Sequence, residues 1–312
     1  MIPVLVDCDP GLDDALALLL VLASPELELL GVTAVAGNQT VDKTTANALK
    51  VLELAGRSDI PVASGAAGPL AGELVVADDA HGASGLGELD LPTPRTAPVG
   101  QTAIDLLADR LLSADRPPTV FALGPLTNVA LLLALHPEAA SRIDRLVLMG
   151  GAIGAGNQTA SAEFNIWIDP EAAHTVFESG LDVTMVGLEV TNRAVLTRED
   201  ADGLRARGAV GSAAAAMLDF YLGFYEEAYE HGGAPIHDAL TVAYILEPEI
   251  LTTIPRRVDV ELTGICRGRT VVDMRRRTTM PEPNAHVAVD VDVAAFRKLF
   301  CERVGTLDRP TS

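Results

Sequence analysis

Apolar and polar positions along the 312 residues switch repeatedly between two periods. Short apolar runs at residues 2–6, 29–36, 60–63, 119–123, 145–149 and 183–186 are bounded by turn formers and read as buried strands. Longer stretches at 13–23, 41–55, 103–112, 128–135 and 170–177 carry helical spacing. The first is apolar on every side after its two aspartates, as a buried helix would be, and Ser24-Pro25 stops it. Residues 65–96 form a long irregular stretch of the kind that carries function. Residues 198–246 look mostly helical, and 257–272 and 286–291 read as late strands.

This β-α alternation predicts an α/β fold with a mainly parallel central sheet and helices on both faces. No repeat, low-complexity tract or linker divides the chain, so residues 1–312 are expected to form a single domain. In an open sheet of this kind ligands bind at the carboxyl ends of the strands. The polar residues that follow the predicted strands all fall on that rim: Asp7 to Asp14, Gly37-Asn38, Ser64-Gly65 with His81-Gly82 beyond, Gly124-Pro125-Leu126-Thr127-Asn128, and Gly150-Gly151 leading to Asn157 and Glu163-Phe164-Asn165.

Asp7-Cys8-Asp9-Pro10-Gly11-Leu12-Asp13-Asp14 sets four carboxylates within eight residues. Carboxylates that close raise one another's pKa, and the cluster is stable only around something positive or strongly hydrogen-bonding. A hard cation taking oxygen ligands is one solution, and an acidic turn capping the next helix is another. The turn after residue 123 can aim the Leu123 carbonyl at such a cation, although Thr127 and Asn128 also suit a helix start. Asn38 is either a turn former or a site residue. Glu163 and Asn165 flank Phe164 beyond a glycine-rich stretch, where an amide and an ionised carboxylate together match hydroxyl groups. His237-Asp238 opens a helical run, so Asp238 can be a cap or a ligand. His237 and His81 offer imidazoles that titrate near neutrality, which with a metal site and hydroxyl binders suits hydrolysis.

Composition removes other function classes. Asp and Glu number 43 against 23 Lys and Arg, a formal charge of −20, which repels phosphate backbones and anionic membranes and leaves nucleic acid out as a partner. Cys8, Cys266 and Cys301 are few and lack CxxC spacing, so neither a disulfide framework nor a zinc site is expected. The longest apolar run, 15–23, is far short of the ~20 residues of a membrane span, and the opening residues have no basic leader pattern. A cytoplasmic protein without membrane contact is the expectation.

Taken in order and spacing, the acidic opening, Gly37-Asn38, His81-Gly82, Gly124 to Asn128, Glu163-Phe164-Asn165 and His237-Asp238-Ala239-Leu240 resemble the inosine-uridine-preferring nucleoside hydrolases over nearly the full length. The resemblance implies a Rossmann-like fold and a Ca²⁺-dependent N-ribohydrolase that splits a ribonucleoside into ribose and free base. It implies Asp9, Asp14 and Asp238 as side-chain metal ligands and the Leu123 carbonyl as a further one. Asp9 would also take the proton of the attacking water. Asp13 and Asn165 would hold the ribose 2′- and 3′-hydroxyls, with Asp238 beside them, and Asn157 and Glu163 the 5′-hydroxyl. Asn38 would help place ribose and water, His237 would protonate the departing base, and His81 would lie against it. Tyr221 and Tyr225, one helical turn apart, stand where relatives carry base-side residues. A homodimer or homotetramer is implied as well.

The chain departs from the family pattern at Gly187 and Glu189 within 186–192, and at Thr159 to Ala162, and neither departure touches the assigned chemistry. With His at position 81 and its single Trp at 167, it lacks the tryptophans of the purine-only branch, which favours pyrimidine or broad inosine/uridine specificity. Two other readings compete. Asp7-x-Asp9 after the first strand imitates the nucleophile pair of haloacid-dehalogenase-like phosphatases, though it leaves Glu163 to Asn165 and His237-Asp238 without a role. A non-catalytic nucleoside binder would keep the ribose contacts yet need neither Asp9 nor His237.

Overall fold

The computed structural model describes residues 1–228, 232–275 and 277–308. The first half runs β1 (Ile2–Cys8), α1 (Leu12–Leu22), β2 (Leu27–Ala34), α2 (Val41–Leu54), β3 (Val62–Ser64), α3 (Asp78–His81), α4 (Ala103–Ser113), β4 (Thr119–Ala122), α5 (Thr127–Leu135), α6 (Pro137–Ala140) and β5 (Arg145–Met149). The second continues with α7 (Phe164–Ile168), α8 (Pro170–Phe177), β6 (Val183–Val186), α9 (Leu188–Thr191), β7 (Val195–Leu196), α10 (Arg198–Arg205), α11 (Ala209–Ala228), β8 (Ala234–Pro235), α12 (Ala239–Leu246), β9 (Leu251–Arg256), β10 (Val258–Val260), β11 (Thr270–Val272), β12 (Ala285–Val291) and α13 (Val293–Val304).

Eight strands form one sheet in the order β3-β2-β1-β4-β5-β6-β12-β9, parallel throughout except where β9 runs antiparallel to β12. The result is a single-domain α/β fold. Strands covered on both faces must be apolar on both, and β1 is buried from Pro3 to Cys8. Helix α1 has no polar face to offer solvent after Asp14, and every residue from Leu12 to Val21 is buried. Helix starts follow their side-chain caps: Thr102 accepts from Asp105 N–H, Asp169 from Ala172 N–H ahead of Pro170, and Thr197 from Asp200 N–H.

The late part of the chain differs from its sequence reading. Residues 257–272 are not one strand but a separate antiparallel pair, β10 with β11, because Gly264 at φ +69° turns the chain between them. Strand β9 precedes them and was not anticipated, since its pattern, Leu251 to Arg256, half-buried and interrupted by Pro255, fits only a sheet edge. The helical segment 198–246 resolves into α10, α11 and α12 with the short strand β8 between the last two, and residues 229–231 lie outside the described residues. Among the described residues no helix is long and apolar enough to cross a membrane.

Reading outward from β1, the strand order reverses: β2 and β3 lie to one side, β4, β5 and β6 to the other. Such a switch point leaves a crevice beyond the carboxyl ends of the two central strands. Asp9 follows β1 and Leu123 follows β4, so the acidic stretch and the Gly124 turn meet there.

Candidate active site

A cavity of about 290 Å³ opens over this crevice, lined at its floor by Asp13, Asn38, Leu123 and Asp238. Asp9 and Asp14 are fully buried and are not among its lining residues. The Asp14 carboxylate is fixed by backbone: Oδ1 accepts from Asp9 N–H at 3.1 Å, while Oδ2 accepts from Gly11 N–H at 3.1 Å and from Asn38 Nδ2 at 3.0 Å. It therefore caps α1, as one reading of the acidic turn expects, and its carboxylate also belongs to a cluster of three. Asp9 Oδ2 accepts the Asn38 backbone N–H at 2.6 Å, whereas Asp9 Oδ1 is buried with no hydrogen-bond partner. Room for that carboxylate comes from two glycines. A Cβ on Gly37 or Gly124 would collide with Asp9 oxygens, which is why two turns that look generic in the sequence are glycine turns here.

Carboxylate oxygens of Asp13, Asp14 and Asp238 converge within 4.8 Å of one another. Asp238 begins α12 but makes no side-chain cap, which leaves its carboxylate to the cluster. Burial first, and then the charge of the neighbouring aspartates, holds the carboxyls of Asp9, Asp13 and Asp238 well above the ordinary carboxylate range. Asp14 is also raised by burial, against the lowering effect of the amides it accepts from. Without a cation these groups cannot all ionise. An orphaned Asp9 oxygen, three converging carboxylates and no sulfur or nitrogen among the donors fit a hard divalent ion. Cys8 does not join them, since its thiol points to the Thr33 carbonyl.

On one flank, Glu163 caps α7: Oε1 accepts from Asn165 N–H at 2.9 Å, and Oε2 from Gly151 N–H at 2.9 Å and Ile166 N–H at 3.1 Å. Those amides lower its pKa, yet burial prevails and the net direction is upward. Asn165 Nδ2 donates to the Leu123 carbonyl at 2.7 Å and to the Met149 carbonyl at 3.2 Å, leaving Oδ1 for a ligand. Asn157 is exposed at the rim, its Oδ1 accepting from Phe164 N–H at 2.9 Å.

His81, Tyr221, Tyr225 and His237 also line the cavity. His237 is gripped at both nitrogens: the Tyr225 hydroxyl is 2.9 Å from Nε2 and the Thr191 hydroxyl 2.8 Å from Nδ1. Tyr221 packs edge-on against Tyr225 at 5.0 Å between ring centroids and lies 5.6 Å from the His81 ring. His81 Nδ1 accepts the Leu12 N–H at 3.1 Å, and burial pushes the imidazole down to about 4.

Residues 4–298 match the family model described as inosine-uridine preferring nucleoside hydrolase. The chain belongs to that family. It is thus an enzyme of the ribonucleoside-hydrolysing type, and the phosphatase and non-catalytic readings of the acidic opening fall away. Among curated relatives, the pyrimidine-specific ribonucleoside hydrolases RihA of Citrobacter koseri and of Escherichia coli O81 are each 50% identical over 306 residues, covering 97% of this chain and 98% of theirs. Among solved structures, a purine-preferring ribonucleoside hydrolase from Gardnerella vaginalis superposes with TM-score 0.92 at 35% identity, covering 98% of this chain and 99% of its own. An inosine-guanosine nucleoside hydrolase gives 0.87 at 30% identity, covering 97% and 98%.

In this nucleoside hydrolase Asp13, Asn38, His81, Leu123, Asn157, Glu163, Asn165, His237 and Asp238 line one cavity, with Asp9 and Asp14 buried and outside its lining, whereas Asp7 is bonded to Thr33 and Asn128, and Thr127 to Asp169. Thr191 was missed. Within 186–192 the sequence reading weighs only Gly187 and Glu189, and α9 brings Thr191 from the same stretch to His237. Only its spacing after a strand end could have flagged it. Trp167 is not among the residues lining the cavity.

Proposed function

We propose that this nucleoside hydrolase is Ca²⁺-dependent and cleaves the C1′–N bond of ribonucleosides, with pyrimidine or broad inosine/uridine preference. The observation that carries the reading is the buried carboxylate nest at the β1/β4 switch point beside a nucleoside-sized cavity that His237 also lines. At about 290 Å³ that cavity is at the small end of the roughly 300–1,000 Å³ of small-molecule sites.

Asp9, Asp14, Asp238 and the Leu123 carbonyl would hold the ion. When bound, it supplies charge neutralisation and orientation of the ribose diol. Departure of the base builds oxocarbenium-like positive charge on the sugar, which the surrounding aspartates stabilise. Asp9 Oδ1, the unpartnered oxygen, accepts the proton of the attacking water. Asp13 and Asn165 Oδ1 take the 2′- and 3′-hydroxyls, and Asn38 fixes the Asp9 and Asp14 carboxylates beneath them. Glu163 and Asn157 serve the 5′-hydroxyl. A poor leaving group departs more readily with a proton, and His237, set by Tyr225 and Thr191, is placed to give it.

The 50% identity to relatives named pyrimidine-specific supports the base preference. Ribose release from uridine, cytidine, inosine and adenosine tests it, with the two pyrimidines and inosine expected ahead of adenosine. Release from none of the four would refute the activity, and adenosine in the lead would refute the preference. The same proposal carries a homodimer or homotetramer and a cytoplasmic location, the first read by light scattering and the second by cell fractionation.

A further inference from the structure

Asp7 stands two residues ahead of Asp9, yet it is not among the residues lining the cavity. It is buried in β1, where its Oδ1 accepts from the Thr33 hydroxyl at 2.5 Å and from Asn128 Nδ2 at 2.7 Å. Among the described residues its Oδ2 is buried with no hydrogen-bond partner. Asn128 is no helix cap, since α5 begins without a side-chain cap. Its Nδ2 also donates to the Ala34 carbonyl at 3.1 Å, and its Oδ1 accepts from Ala66 N–H at 2.9 Å. A Cβ on Gly65 would stand 2.4 Å from both the Ala34 carbonyl oxygen and Asn128 Oδ1, so this amide can join the three segments only beside a glycine.

The other end of the turn meets Asp7 through its main chain. Asp7 is paired with Ala122 where β1 runs beside β4, and the Asp7 carbonyl accepts from Leu123 N–H at 2.8 Å as the chain leaves the sheet. Residues 124–127 then turn, and Asn128 ties the chain back to the carboxylate of the same residue. One aspartate thus holds the turn at both ends. A carboxylate buried with an unsatisfied oxygen costs stability, and an apolar pair of the same shape would avoid that cost. Apolar contact has no direction, however, and could not fix the start of α5 against β1 as a hydrogen bond does.

We propose that Asp7 is a positioning residue, a buried clamp across the 123–128 turn that sets the direction of the Leu123 carbonyl. The proposal rests on the Ca²⁺ reading above, in which that carbonyl is a ligand. A main-chain oxygen cannot be re-aimed by a change of rotamer, so only the turn that carries it decides whether it stands ready for a hard ion. Asn165 steadies the oxygen itself at 2.7 Å, and Asp7 fixes the residue that bears it. Asp7 acts by accepting hydrogen bonds, and neither its charge nor its titration enters.

Calorimetry of Ca²⁺ binding tests the clamp without turnover. Asp7→Ala removes the acceptor and should weaken Ca²⁺ binding by roughly 10 to 100-fold, the usual loss when the support behind a metal ligand is taken away. Asn128→Ala breaks the same bond from the other side and carries the measurement if Asp7→Ala does not fold. The double variant should lose little more than either single one. Asp7→Asn keeps an oxygen for both donors and should bind Ca²⁺ as the wild type does. Thr33→Val takes a hydroxyl from the same carboxylate but leaves the turn tied, so it should lower the melting temperature and spare Ca²⁺ affinity. A loss in Thr33→Val equal to that in Asn128→Ala would make the effect one of general stability, and an equal loss in Asp7→Asn would make it one of charge. Either result overturns the proposal, as does wild-type affinity in Asn128→Ala. Amide exchange at residues 123–128 in chelated protein separates the clamp from the reading on which it stands. Wild-type protein that binds no Ca²⁺ overturns the calcium reading, whereas exchange at those amides no faster in Asn128→Ala than in wild type overturns the clamp.

Discussion

Asn165 donates through Nδ2 to the carbonyl oxygen of Leu123 at 2.7 Å. On the proposed reading, one side chain thus orients the main-chain oxygen that would meet the cation while its own Oδ1 is left for the sugar. Asn165→Ala would withdraw this donor from the Leu123 and Met149 carbonyls, both buried. Loss of stability of about 1–3 kcal/mol is expected, together with weaker Ca²⁺ retention and a raised KM. A variant with wild-type melting temperature and wild-type Ca²⁺ affinity would show that the carbonyl needs no such support.

Much of this geometry could be anticipated from the chain, and the reasons are physical. Buried strands and the all-apolar α1 announce themselves because nothing polar could survive there, and strand ends then locate the rim. Clustered aspartates are legible because their mutual repulsion demands an explanation. Neither argument reaches Thr191, whose value comes from its 2.8 Å contact with a residue 46 positions away, or the Asn165–Leu123 bond across 42 positions. The antiparallel edge strand β9 was hidden for a related cause: half exposed and carrying a proline, it lacks the continuous apolar run that betrays a central strand.

Metal removal should expose the charge problem of the floor. The carboxyls of Asp9, Asp13, Asp14 and Asp238 are raised above their unfolded value of 3.8, chiefly by burial. Groups with raised folded pKa values contribute stability that is complete below the unfolded value and lost as pH climbs through the folded one. Chelated protein should therefore lose melting temperature progressively as pH rises above 3.8, and added Ca²⁺ should restore it most at the alkaline end. Ligation also requires deprotonated carboxylates, so calorimetry in buffers of different ionisation enthalpy should show protons released on Ca²⁺ binding. Tight binding with no proton release and no pH trend would contradict the assignment of these aspartates.

Asp9→Asn tests the base. The amide oxygen can still accept the Asn38 backbone N–H, so the fold should persist, with Nδ2 occupying the place of the unpartnered Oδ1. An amide cannot accept a proton from water, and a fall in kcat of roughly 10² to 10⁴-fold is expected at saturating Ca²⁺. Wild-type kcat with metal bound would move the base elsewhere.

His237 offers the sharpest separation of proton donation from placement. If it protonates the leaving base, His237→Ala should slow inosine hydrolysis by roughly 10² to 10⁴-fold. The loss on p-nitrophenyl riboside should be far smaller, because a stable phenolate departs without a proton while the sugar still uses Asp9, Asp13 and Glu163. Thr191→Val keeps side-chain volume but removes the hydroxyl at Nδ1, and Tyr225→Phe removes the one at Nε2. Each should produce a weaker version of the same substrate-selective loss, and combining either with His237→Ala should add little, since the hydroxyls act through the imidazole. Equal losses on both substrates in His237→Ala would make the residue a support for the site. Full additivity of Thr191→Val with His237→Ala would mean that Thr191 works independently of the ring it touches.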